Sequence, residues 1–269
     1  MSNRPPVVMI HGMWSSPQVW DPFRSAYESH GYTVHTPTLR HHDISPRERP
    51  DPALGTTGLE DYCNDLSAFI DTLDAAPVLV GHSMGGLLAQ MLTARGQACA
   101  TVLLCSACPR GVFPMRPVML PGTARIFSTP GFWKKANRLA AWEARYALFN
   151  RLPESETKKQ LEQLLWESGR AASQIVFAAA MPNGPATIDY QANDIALLSL
   201  AGGADRIVPA GVCAANARRY GRRCDYRVYP EHAHWILGEP GWEQVAADSL
   251  DWLAERPFNQ PPAGRADGA

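Results

Sequence analysis

The sequence predicts an α/β fold, a mostly parallel sheet of about six strands flanked by helices, on three observations. Apolar runs alternate with amphipathic stretches along the chain, which is the pattern of βαβ units. The apolar run Pro77 to Val80 passes through Gly81-His82-Ser83-Met84-Gly85 straight into Leu87, Leu88, Met91 and Leu92 at helical spacing. A second long apolar run, from Ile195 to Ala201, closes on small residues and an aspartate, Asp205.

Strands are expected near Val7 to His11, Tyr32 to Pro37, Pro77 to Gly81, Ala100 to Ser106, Ala196 to Ala201 and Tyr226 to Tyr229, where short apolar or alternating runs are bounded by turn residues. Helices are expected between them, over Pro17 to Ser29, Leu59 to Leu73, Met84 to Arg95, Gly211 to Tyr220 and Trp242 to Glu255. The alternation breaks between about Pro109 and Ala192. There, Pro and Gly punctuate the segments Phe132 to Phe149 and Glu154 to Ala180, which read as helices. The expected organisation is a core of residues 1–108 and 193–255, a helical cap over 109–192 and a disordered tail from Arg256 to Ala269, rich in Pro, Gly and charge. An insertion leaving the carboxyl end of a parallel strand lies over the place where such sheets bind ligands.

The Gly-x-Ser-x-Gly turn carries the chemistry. A serine between a strand and a helix is pushed clear of the sheet, and small flanking residues such as Gly81 and Gly85 let strand and helix approach. The helix that follows aims its free N–H groups at developing negative charge. A hydroxyl is a poor nucleophile until a base takes its proton, so a histidine and an orienting acid are required. Asp205 ends one strand, and the next leads through Cys224 to Pro230 into Glu231-His232-Ala233-His234-Trp235. Either His232 or His234 is positioned to be the base. Oxyanion stabilisation needs two backbone donors, expected from Met84, after the serine, and from the loop after the first strand, within Pro6 to Trp14.

From His11-Gly12 through the Ser83 turn to the histidine loop, the chain resembles the α/β-hydrolase superfamily. The resemblance implies a serine hydrolase, carboxylesterase-like, acting through an acyl-enzyme on an ester or related acyl bond of a small, partly apolar substrate. It implies Ser83 as nucleophile, Asp205 as acid and His234 as base, because Ala233-His234-Trp235 fits the family's small-His-bulky pattern better than Glu231-His232-Ala233. It also implies Met13 as the second oxyanion donor, Trp14 and Trp235 as substrate-binding walls, and a chain that begins at the family's third strand. His11 reads as a buried brace for its loop rather than a reacting group. A lyase on the same triad needs a cation over the nucleophile, for which Lys134 or Lys135 would have to turn inward. C–C hydrolase, lactonase, perhydrolase and ligand-receptor variants share these residues, whereas Ser83 excludes versions that need aspartate as nucleophile.

Composition is consistent with one folded unit. The chain has 269 residues, 45% of them hydrophobic, enough for a sizeable core. A formal net charge of -1 gives no basic footprint for nucleic acid and no polybasic face for membranes, so a small molecule is the expected partner. Six cysteines in a chain of this size read as reduced core residues, and Cys105-Ser106-Ala107-Cys108 has no second pair to complete a zinc site. His41, His42 and Asp43 lack a third ligand at suitable spacing and read as a loop. No metal and no cofactor are expected. Entry into a core strand almost at once leaves no space for a secretory signal, and a cytoplasmic address is the expectation.

Overall fold

The structure, a computed structural model, describes residues 4–113 and 116–256. In chain order these form β1 (Val7–Ile10), α1 (Asp21–Ser29), β2 (Val34–His35), α2 (Leu59–Ile70), β3 (Val78–His82), α3 (Met84–Ala94), β4 (Ala100–Leu104), α4 (Leu120–Ser128), β5 (Ala136–Asn137), α5 (Ala141–Ala147), α6 (Glu154–Gln163), β6 (Glu167–Ser168), α7 (Gly169–Val176), β7 (Ala196–Gly202), α8 (Ala210–Tyr220), β8 (Cys224–Tyr229) and α9 (Trp242–Ala254). Apart from Arg256, the tail expected to be disordered lies outside the described residues.

The main sheet has six strands in the order β2-β1-β3-β4-β7-β8, every pair parallel, as the alternation of apolar runs and helices requires. Strands β1, β3 and β4 are buried at every position because helices cover both faces. Successive side chains point to opposite faces, so Val7 and Met9 join a cluster with Phe23 and Tyr27 of α1 and Trp252 of α9. Val8 and Ile10 join another with Tyr62 of α2 and Leu87 of α3. Strand β2 is shorter than its sequence run, only two residues, and forms one edge; β8 forms the other.

Between β4 and β7, helices α4 to α7 form as local periodicity demands, but the expected continuous helices over Phe132 to Phe149 and Glu154 to Ala180 are interrupted. Residues Ala136–Asn137 and Glu167–Ser168 pair as a two-stranded antiparallel ribbon. The reason is long-range: Glu167 is fully buried and accepts hydrogen bonds from His42 Nε2 (3.2 Å), Tyr62 Oη (2.8 Å) and its neighbour's amide, Ser168 N (2.6 Å). These contacts outweigh the helical preference of the flanking residues.

The His42–Glu167 pair ties the loop after β2 to this segment with both side chains fully buried. Burial alone would disfavour the His42 imidazolium, yet the carboxylate beside it raises the His42 pKa on balance. A histidine pKa raised by folding stabilises the fold fully below about 6.5 and loses that contribution as pH rises through the folded value. Glu167→Ala is expected to cost about 3–5 kcal/mol by removing the partner of His42 Nε2 and of the Tyr62 hydroxyl, and to remove this pH dependence, as urea unfolding at pH 6 and pH 9 would measure.

Candidate active site

The strand order reverses its direction of growth between β1 and β3, and in open parallel sheets the crevice beyond such a point receives ligands. Ile10 pairs with Gly81, so the chain segments two residues further on, Gly12 and Ser83, emerge side by side. A methyl on Gly12 would stand 2.9 Å from Ser83 Cβ, so only glycine allows this approach. Gly85 is held equally close, since a methyl there would collide with the Ile10 carbonyl oxygen.

Ser83 leaves β3 with φ 54 and ψ -119, a conformation an L-residue adopts only when its surroundings impose it. Here Ser83 N–H donates to Leu104 O, while Ser83 O accepts from Gly86, Leu87 and Ala107 amides, fixing both sides of the residue. The side chain therefore projects into a cavity, lined also by Met13, Trp14 and Met84, at the head of α3. Met84 is the first residue of that helix, where amides have no intrahelical partner.

The peptide between Gly12 and Met13 is oriented from behind. Gly12 O accepts from Ser15 Oγ (2.9 Å) and from His11 Nδ1 (3.0 Å), whose Nε2 in turn accepts the Leu39 amide. In a trans peptide the N–H opposes the carbonyl, so Met13 N–H points away from these donors, and among the described residues it makes no hydrogen bond of its own. Burial, reinforced by His42 nearby, lowers the His11 pKa to about 3, which keeps the ring neutral in this bracing role.

Asp205, past the end of β7, is buried. Its Oδ1 accepts the Ile207 and Val208 amides, each at 2.8 Å, and its Oδ2 accepts from His234 Nδ1 at 2.8 Å. Donation from Nδ1 leaves the Nε2 lone pair of a neutral His234 free to take a proton. His232 makes no bond to Asp205; it meets the Tyr229 ring edge-on, and among the described residues its buried Nε2 has no partner. The His234 ring stands 4.8 Å from that of His82, which precedes Ser83, and His82 Nε2 donates to His234 O at 2.8 Å. Burial, with His234 as a smaller cause, lowers the His82 pKa to about 3, so His82 is a neutral strut. Among the described residues Ser83 Oγ and His234 do not hydrogen-bond, and such contacts often tighten only around substrate.

Trp14 holds φ 60, its indole donating to Asn137 in β5 (3.1 Å) and its carbonyl accepting Leu165 N–H (2.8 Å). Trp235 does not line the Ser83 cavity. It packs on Phe149 and on His82 and lines an adjoining cleft whose walls share Met13 and Trp14 with the cavity. Sequence reasoning also missed His82, which carried no signal beyond its place inside the turn motif. Cys105, Asp205 and His234 bring ligand atoms within 4.8 Å of one another, but the carboxylate and imidazole are engaged with each other. Burial also keeps the Cys105 thiol protonated.

The model of the alpha/beta hydrolase family matches residues 7–248. The chain belongs to the alpha/beta hydrolase family. Solved structures of the same fold superpose over nearly the whole chain. A methylesterase from Arabidopsis has a TM-score of 0.69 at 12% identity, covering 93% of this chain and 99% of its own. A pyrethroid hydrolase from Sphingobium faniae gives 0.67 at 16% identity, over 93% and 98%. A monoacylglycerol lipase from Paleococcus ferrophilus gives 0.64 at 18% identity, over 92% and 93%. Comparison with curated protein sequences gives no match. No helix among the described residues is long and apolar enough to cross a membrane.

Proposed function

We propose that this hydrolase-family chain is a serine carboxylesterase acting on small, partly apolar esters. The observation that carries the reading is the buried 2.8 Å His234–Asp205 hydrogen bond, with the His234 ring 4.8 Å from that of His82, the residue before a serine held in a strained turn. In this mechanism Ser83 Oγ attacks the carbonyl carbon as His234 Nε2 takes its proton, and Asp205 stabilises the imidazolium. The Met13 and Met84 amides receive the oxyanion. Collapse expels the alcohol, which takes the proton from His234. Water then attacks the acyl-enzyme by the same route and releases the acid and Ser83.

The cavity lining supports an apolar acyl group: beside Ser83 it presents Met119, Ile126, Phe127, Ile175 and Val208, and none of its lining residues is charged. Residues of α4 and α7 contribute to that lining, which supports a capping role for the 109–192 segment. In this reading Trp14 walls the acyl side, and Trp235 walls the adjoining cleft through which the alcohol leaves. Lys134 and Lys135 are exposed and absent from the lining, so the cation a lyase needs is not supplied there. The activities of the structural neighbours, esterase, hydrolase and lipase, agree with ester hydrolysis. Six free cysteines support a reducing, cytoplasmic address.

A serine-directed fluorophosphonate tests the assignment. One equivalent is expected to attach to the peptide carrying Ser83 and to stop hydrolysis of short aryl esters, as mass spectrometry and a chromogenic assay would record. Labelling confined to another residue, with ester turnover intact, contradicts it.

A further inference from the structure

Behind the histidine loop lies a carboxyl group that the proposed mechanism does not use. Glu239, at the approach to α9, is buried, with 1% of its surface exposed. Its Oε2 accepts the Ala233 amide at 2.6 Å, the residue immediately before His234. Its backbone is fixed as well, since Glu239 N–H donates to Trp235 O and Glu239 O accepts Trp242 N–H. Its other carboxyl oxygen, Oε1, is buried without a hydrogen-bond partner among the described residues.

A carboxylate is a costly choice for holding one amide. Glutamine would also accept the Ala233 N–H and would carry no charge to desolvate. What the carboxyl adds at this place is negative charge beside the His234–Asp205 pair. From these contacts we infer that Glu239 is a positioning residue for the proposed Ser83 reaction. It holds the peptide that carries His234 and supplies a second negative charge behind the imidazole as it becomes cationic.

The inference rests on the Ser83–His234 chemistry proposed above. The titratable groups that Glu239 faces are His234 on the histidine loop, Asp205 past β7 and the Cys105 thiol past β4. Burial is the main cause that raises the Glu239 carboxyl to about 7, with Asp205 adding to the rise and His234 opposing it. Below that pH the second charge is neutralised, and His234 loses its support. Turnover is therefore expected to rise near neutral pH as Glu239 ionises. The sign for stability is opposite. A carboxyl whose pKa is raised by folding lowers stability as pH climbs from its ordinary value through the folded one, so the charge is kept at the expense of the fold.

The test compares wild type with Glu239→Gln on a short aryl ester and follows the His234 ring by NMR titration. Glu239→Gln is expected to keep KM and to lower kcat at pH 8 by about three- to tenfold. It is also expected to flatten the rise between pH 6 and 8, and to melt above wild type at pH 8. In the variant the His234 ring binds its proton about tenfold more weakly. A variant with the wild-type kcat profile and an unchanged ring titration overturns the inference. If the wild type hydrolyses no ester, the Ser83 reading fails, while the ring titration still decides this one. If Glu239→Gln does not fold, the wild-type ring decides alone, two coupled steps supporting the inference and a single step overturning it.

Discussion

Ser83→Ala is expected to abolish turnover of aryl esters, with a loss of about 10³–10⁶ in kcat, and to remove the fluorophosphonate label entirely. The loss is large because alanine removes the one oxygen of residue 83 that can bond the acyl carbon. Without Oγ no acyl-enzyme forms. The fold should survive, because the contacts that fix residue 83 are made by its backbone N–H and carbonyl, which alanine retains. Alanine keeps the same left-handed backbone strain, so the melting temperature is expected to change little, and circular dichroism would register any collapse. Turnover by the variant within tenfold of wild type would place the nucleophile elsewhere.

Asp205→Asn is the second large effect, about 10⁴ in kcat at nearly constant KM. The asparagine oxygen can replace Oδ1 for the Ile207 and Val208 amides, so the loop keeps its shape. Its amide nitrogen would then face His234 Nδ1 as a donor. A donor opposite Nδ1 selects the tautomer with the proton on Nε2, which cannot accept from Ser83. Steady-state kinetics beside an unfolding curve separate this from loss of structure: kcat should fall while stability changes little. A variant that retains more than a tenth of the wild-type kcat would mean that Asp205 only ties its own loop together.

How much of this was legible in the sequence varies with the range of the interaction. The six parallel strands and the turn at Ser83 follow from local periodicity and from glycines whose spacing permits close approach. The ribbon of Ala136–Asn137 and Glu167–Ser168 was not legible, because two-residue strands have no period and their cause, the buried Glu167 cluster, joins residues up to 125 positions apart. Around the candidate site, Ser83, Asp205 and Met84 stand at strand or helix ends where a pattern points to them, whereas Met13 within its loop is singled out by the family likeness. Choosing between His232 and His234 needs the family likeness, since both follow the same strand; the fold puts Asp205 against His234. The placing of Trp235 in the neighbouring cleft, and the roles of His82 and Glu239, depend on which atoms face which across the loop, and no spacing rule records that.

Trp14, Ser83 and Cys105 share left-handed backbone angles, and all three lie just beyond the carboxyl ends of strands along one rim of the sheet. Such angles cost on the order of 1–3 kcal/mol each. Substitutions that relax them are therefore the cheapest route to a sturdier molecule, and a lineage selected for heat endurance alone would dismantle this rim before it touched the buried strands.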